Sequence, residues 1–223
     1  MSLPLEAGDS MRIAIPIYPG FAATDAIGPY EILSRLPGAE LRFVAVDAGP
    51  VAADTGFLSV LAEPLASMPD PDIVMVPGAP NRCLPLGDAV LMEWLRAAHA
   101  RSTWTTSVCT GSHLLGAAGI LKGHRATTHW SDLDALPGFG ATPCNERVVF
   151  DGKLVTAAGV TAGYDMALAL AARIAGEDFA KAVQLALEYD PQPPFDAGSP
   201  DRAPAHLVAL VRRLGLGATK VLP

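Results

Sequence analysis

Residues Trp104–Gly119 read WTTSVCTGSHLLGAAG. The stretch opens as an apolar and β-branched run (Trp104, Thr105, Thr106, Val108), the composition of a buried strand. It turns at Cys109-Thr110-Gly111, then continues as a small-residue helix through Ser112, Leu114, Leu115, Ala117 and Ala118. A strand that breaks sharply into a helix holds one side chain up at the tip of the turn. That geometry exposes a nucleophile at the carboxyl edge of a parallel sheet. The tip residue here is Cys109. The helix behind it aims free N–H groups at the sulfur, and its dipole favours thiolate, so the pattern predicts a thiol lowered from the usual value of about 8.5. The competing role for a free cysteine is a small buried hydrophobe.

Outward from this turn the chain alternates strands and helices. Arg12–Tyr18, Leu41–Val46 and Asp72–Val76 read as core strands, and Val51–Leu61 as a short excursion. Asp25–Leu36 reads as a helix capped by Thr24 or Asp25, with Pro29 tolerated only if it falls in the first turn. Asp88–Ala100 is amphipathic. After the cysteine turn come a short strand at Ala126–Thr128 and a hairpin of Arg147–Phe150 with Leu154–Thr156 about Asp151-Gly152. Helices follow at Thr161–Ile174, Asp178–Tyr189 and Ala205–Leu214, with the Pro- and Gly-rich Asp190–Pro204 irregular between the last two. This order predicts an α/β fold: a three-layer α-β-α sandwich with a mostly parallel central sheet. The expected organisation is a loose leader at 1–10, a single domain at 11–215 and a tail at 216–223. The loops Pro19–Asp25, after Val76, and at Cys109 should meet at the carboxyl edge.

The bulk numbers agree. Of 223 residues half are hydrophobic and 17% charged, which suits a well-buried core. The net charge is −7 without a Lys/Arg block, so no nucleic-acid footprint is visible. Three widely spaced cysteines make no disulfide framework and suit a reducing compartment. MSLPLEAGDS has no apolar h-region, and no apolar run reaches the ~18–20 residues of a membrane span. A cytoplasmic protein without membrane association is expected.

Beside Cys109, four positions are candidate site residues: Asp25, Gly78, Ala79 and Thr110. Asp25 either caps its helix or is a carboxylate held against Cys109, and the two roles are compatible. Gly78 and Ala79, in the turn after Val76, are either an ordinary turn or a pair of backbone N–H donors of oxyanion-hole type. Thr110 either starts the helix or offers its hydroxyl to substrate. His113 is expected to pack, and His129 to be a pocket wall or structural. Cys83 and Cys144 read as bystanders. No Cys/His spacing resembles a zinc site and no phosphate fingerprint stands at a strand–helix junction, so neither metal nor cofactor is expected.

TSVCTGS (Thr106–Ser112), GAAGILKG (Gly116–Gly123) and RATTHW (Arg125–Trp130) resemble the ThiJ/PfpI superfamily, which shares the class I glutamine amidotransferase-like sandwich. With TDAIGPYEIL (Thr24–Leu33), NERVVFDGKLVTAAGVTAGYDMAL (Asn145–Leu168) and LEYDPQPPFDAGSP (Leu187–Pro200), the chain resembles the isocyanide hydratases within it, from about Arg12 to Val211. The resemblance implies a cofactor-independent lyase that hydrates a small-molecule isocyanide to an N-formamide. Cys109 would be the nucleophile and Asp25 the general acid/base, with Thr110, Gly78 and Ala79 lining the site of a homodimer. Two departures touch the pocket: Ala79, followed by Pro80-Asn81-Arg82-Cys83, replaces a Gly-rich continuation, and Ala158 replaces a glycine. RATTHW and the cysteine turn also occur in the ligand-binding halves of AraC-type regulators, so a sensing module is the alternative. A related enzyme acting on a reactive carbonyl such as methylglyoxal is a third. A peptidase is least expected, because Thr110 stands where that branch places histidine.

Overall fold

The structure is a computed structural model that describes residues 10–80 and 83–214. The tail expected at 216–223, nearly all of the leader, and Arg82 lie outside the described residues.

The elements in chain order are β1 (Met11–Pro16), α1 (Ala23–Leu33), β2 (Ala39–Ala45), β3 (Gly49–Ala52), β4 (Ser59–Pro64), β5 (Ile73–Val76), α2 (Ala89–Arg101) and β6 (Trp104–Val108). There follow α3 (Gly111–Ala117), β7 (Arg125–Ala126), β8 (Thr142–Pro143), β9 (Val148–Asp151), β10 (Leu154–Ala157), α4 (Ala162–Ala175), α5 (Glu177–Ala186) and α6 (Ala205–Leu214). Eight strands form one sheet in the order β3-β4-β2-β1-β5-β6-β10-β9. Pairing is parallel from β4 to β10 and antiparallel at both edges, where β3 and β9 close hairpins. The expected three-layer, mostly parallel sandwich is therefore present.

The chain leaves β1 toward β2 on one side, then returns to place β5 on the other side of β1. Right-handed crossovers in opposite directions put helices on opposite faces. Accordingly α1 packs with α4 and α4 with α5, whereas α2 packs with α3. The reversal between β1 and β5 opens a crevice at the carboxyl ends of the strands, where α/β sheets take ligands. The central strands are apolar on both faces, as a doubly covered sheet requires: all four residues of β5 are buried, and so are the last four of β1.

Four local expectations change. Helix α1 starts at Ala23 with Ala22 as its N-cap, so neither Thr24 nor Asp25 caps it. Pro29 consequently lies beyond the first turn, where it has no N–H to return to the Asp25 carbonyl. The excursion at Val51–Leu61 is the β3–β4 hairpin. A 3-10 stretch at Trp130–Phe139, absent from the sequence reading, fills the connection after β7; its internal Pro137 and Gly138 hide any helical period.

Gly111 is where packing is tightest. A Cβ there would stand 2.2 Å from the Val76 carbonyl oxygen and 2.9 Å from the Pro77 carbonyl carbon. Both are backbone atoms that cannot rotate aside. Gly111→Ala is expected to lower stability by about 1–3 kcal/mol or more, by overpacking, read as a lower urea midpoint at unchanged slope.

Candidate active site

The residue after β6, Cys109, has φ 57°, a left-handed conformation that L-residues avoid. Its peptide is held on both sides. The Cys109 N–H is shared between the carbonyls of Ala157 (3.1 Å) and Ala158 (2.8 Å), at the end of β10. Its carbonyl accepts from the hydroxyls of Thr128 (2.9 Å) and Ser112 (3.2 Å). A strained turn persists only when its surroundings over-determine it, and such turns gather at reactive sites.

The three predicted loops meet around this turn. The Ala22 N–H donates to the Gly78 carbonyl (2.8 Å), tying the start of α1 to the loop after β5. Gly78 N–H donates to Asp25 Oδ2 at 3.1 Å. The Thr110 hydroxyl donates to the Ala79 carbonyl (2.6 Å) and accepts from the Ala79 N–H (2.9 Å). Tyr18, just past β1, donates to the Pro77 carbonyl at 2.8 Å. Gly78 is needed for space: a Cβ would stand 2.7 Å from Thr110 N and Oγ1 and 2.8 Å from Asp25 Oδ2. Ala79 is not among the residues of positive φ, so its backbone does not call for the left-handed conformation that favours glycine.

This geometry refines the expected roles. The N–H groups of Gly78 and Ala79 are both engaged, by Asp25 and Thr110. The Thr110 hydroxyl is committed to the loop and fixes it, where the sequence offered it to substrate. The backbone N–H groups that face the Cys109 sulfur are those of Thr110 and Val160, the second contributed by the loop after β10.

Asp25 is fully buried in the first turn of α1 beside the Cys109 thiol. Its Oδ1 has no hydrogen-bond partner among the described residues. Burial raises its pKa from 3.8 to about 7, against the lowering effect of the Gly78 N–H and the thiol. The thiol itself is pushed well above its ordinary value, first by burial and then by the neighbouring carboxylate. This corrects the expectation of a lowered thiol. Cys109 is only 4% exposed, and the two N–H groups do not offset the loss of water. Asp25 and Cys109 therefore form a coupled pair in which the carboxyl is the group poised to exchange a proton at neutral pH.

Three contributors escaped the sequence reading. Tyr18 is a buried hydroxyl beside Asp25, Cys109 and Cys83; its only signal was its position at the end of the first strand. Thr128 lies inside RATTHW, where the motif marked the segment but not the role. Val160 acts through its backbone, which no side-chain pattern reveals. His113 packs as expected, buried with its ring 5.4 Å from Phe139. His129 lines a cleft of about 430 Å³, together with Trp130, Arg147 and Val160. Cys83 stands against the Gly20 loop near Tyr18, closer to the site than a bystander, while Cys144 lies beside Arg125. No group of His, Cys, Asp or Glu among the described residues could hold a metal ion.

A strained cysteine after a central parallel strand, facing a buried acid from the first helix, defines a class that comparison identifies. The chain belongs to the DJ-1/PfpI family, which it matches over residues 11–173. It is 42% identical to an isonitrile hydratase of Pseudomonas putida over 95% of this chain and 93% of that protein. A ThiJ/PfpI family crystal structure from Pseudomonas syringae superposes with a TM-score of 0.88 at 40% identity, covering 94% of this chain and 89% of the other. The HTH-type transcriptional regulator CdhR of Pseudomonas aeruginosa is 30% identical over 74% of this chain, which spans 51% of that regulator.

The raised Asp25 pKa has a sign in stability. The folded state binds this proton more tightly than the unfolded chain, so stability is greatest below about pH 4 for this group and is lost as pH rises to about 7. Asp25→Asn removes the loss. Its gain over wild type should grow from pH 4 to pH 8, to at most about 4 kcal/mol, measured by urea unfolding across that range.

Proposed function

We propose that this protein hydrates an organic isocyanide to its N-formamide, with Cys109 as nucleophile and Asp25 as general acid/base. The observation that carries this reading is the burial of Asp25 against the Cys109 thiol on a strained turn, with a carboxyl pKa of about 7. Its support from relatives is the 42% identity to an isonitrile hydratase along nearly the whole of both chains.

Asp25 takes the thiol proton as sulfur attacks the electrophilic isocyanide carbon, and returns it to that carbon. The product is a thioimidate, R–N=CH–S–Cys109. Water then adds to the same carbon, and collapse releases R–NH–CHO and the cysteine. Burial serves both residues. A carboxyl near neutrality both accepts and donates a proton, and a thiolate formed only on reaction is a strong nucleophile in a dry site.

The Gly78–Ala79 turn, locked by Thr110, supports the site by holding Asp25. We further propose a homodimer in a reducing cytoplasm, the latter in keeping with three free cysteines. Light scattering should return twice the 23.1 kDa chain mass, and a monomer would remove the dimer from this reading.

The deciding assay follows an aryl isocyanide and its formamide. Wild type should turn over, while Cys109→Ala abolishes turnover and Asp25→Asn lowers it about 10²–10⁴-fold, the range of general acid–base catalysis. The likeness to the regulator CdhR favours a second reading, small-molecule sensing. Reaction of Cys109 with isocyanide without formamide release would support that reading, and turnover of methylglyoxal alone would point to reactive-carbonyl chemistry.

A further inference from the structure

We propose that Tyr18 is a positioning residue for the acid/base group: its hydroxyl fixes the peptide unit that holds the Asp25 carboxylate. The inference rests on the acid/base role given to Asp25 above.

The Pro77 carbonyl and the Gly78 N–H belong to one planar peptide unit. Its two ends have different partners. The N–H donates to Asp25 Oδ2 at 3.1 Å, and the carbonyl accepts from the Tyr18 hydroxyl at 2.8 Å. Both contacts are buried. A chain of donors therefore runs from the Tyr18 hydroxyl through Pro77 C=O and Gly78 N–H to the carboxylate. Each bond in such a chain polarises the next, and the low dielectric of a protein interior strengthens them all.

The next peptide unit is held at both ends by other groups. The Gly78 carbonyl accepts from the Ala22 N–H at 2.8 Å, and the Ala79 N–H donates to Thr110 Oγ1 at 2.9 Å. Gly78 joins the two units and has no side chain to restrict its rotation. The orientation of the Pro77–Gly78 unit is thus set from outside. Gly111 packs close on it: a Cβ there would stand 3.0 Å from the Pro77 oxygen. Among the described residues, Tyr18 is the donor to that oxygen. Phenylalanine at position 18 keeps the ring and leaves a buried carbonyl without a donor, a costly state. Turning the unit toward another donor offsets that cost and takes its N–H away from the carboxylate.

The sign follows from charge. An N–H dipole stabilises a carboxylate over a carboxylic acid, and the Gly78 N–H lowers the proton affinity of Asp25 against the raising effect of burial. Weakening that contact makes Asp25 hold its proton more tightly. The other titratable groups about Asp25 are Cys109, Asp54 and Tyr18 itself. Burial first, then Asp25 and the thiols of Cys109 and Cys83, push the Tyr18 hydroxyl well above its ordinary value. It therefore stays protonated, and donates, throughout the range in which Asp25 titrates.

The test is a carboxyl ¹³C titration of the full chain labelled at aspartate, in wild type, Tyr18→Phe and Tyr18→Met, each checked by circular dichroism. The Asp25 signal is assigned by its absence from Asp25→Asn. Wild type should titrate at about 7, and the variants higher by about 1–2, the worth of one hydrogen bond to a charged group. With an aryl isocyanide, kcat/KM below both midpoints should fall by the corresponding factor of about 10–100. The loss should shrink as pH rises, because the carboxylate is the form that accepts the thiol proton. A hydroxyl that only completes the packing would lower the urea midpoint and leave the Asp25 titration in place. An Asp25 midpoint within about 0.3 of wild type, or below it, overturns the proposal while leaving the hydratase reading intact. The same holds if neither variant folds, because a purely structural role then accounts for Tyr18. A raised Asp25 midpoint in the variants with no formamide from wild type upholds the positioning role and overturns the hydratase reading.

Discussion

The left-handed backbone at Cys109 is the constraint on which the site depends. An L-residue resists φ near 57°, so the turn needs partners on both faces of its peptide. They come from distant parts of the chain: Ala157 and Ala158 at the end of β10 take its N–H, and Thr128 after β7 holds its carbonyl. The strain is thereby distributed over a parallel sheet whose register is already set by burial on both faces. The turn cannot relax without breaking hydrogen bonds to two other segments.

The second organising fact is a carboxyl group placed where water cannot reach it. The Asp25 carboxyl accepts from the Gly78 N–H and faces the Cys109 thiol, and its Oδ1 has no hydrogen-bond partner among the described residues. A carboxylate there is poorly solvated, and a carboxylic acid is tolerated. That balance moves its proton affinity up to neutrality. It also raises the thiol beside it, so the pair is best described by the proton it exchanges and not by a pre-formed thiolate. The loop that supplies the Gly78 N–H is held by Thr110 and Tyr18, residues whose hydroxyls are occupied with backbone atoms. Much of the polar chemistry at this edge positions other groups.

Much of this was legible in the chain itself. The alternation of apolar runs with helical periods marked the core strands and the helices, because a doubly covered sheet demands continuous apolar strands. The break at Cys109-Thr110-Gly111 marked the turn, since only a short interruption separated the strand composition from the helical one. The cap of α1 was misread because Thr24 and Asp25 look like cap residues in isolation. The helix starts earlier, with Ala22 at its cap, and that leaves Asp25 free to face the cysteine. The 3-10 stretch at Trp130–Phe139 was invisible to a search for a 3.6-residue period.

The sequence by itself determined the layered α/β architecture, the cysteine at the tip of a turn and an acid near the first helix, because those follow from local composition and spacing. Tertiary structure alone decided which groups meet. It brought the Val160 N–H to the sulfur, spent the Thr110 hydroxyl on Ala79, and set His129 over Gly159. It also reversed the expected direction of the thiol's pKa. Helix dipoles and capping act over a few neighbouring residues, and sequence reports them. Desolvation depends on everything that excludes water from a point, and only the packed chain determines that.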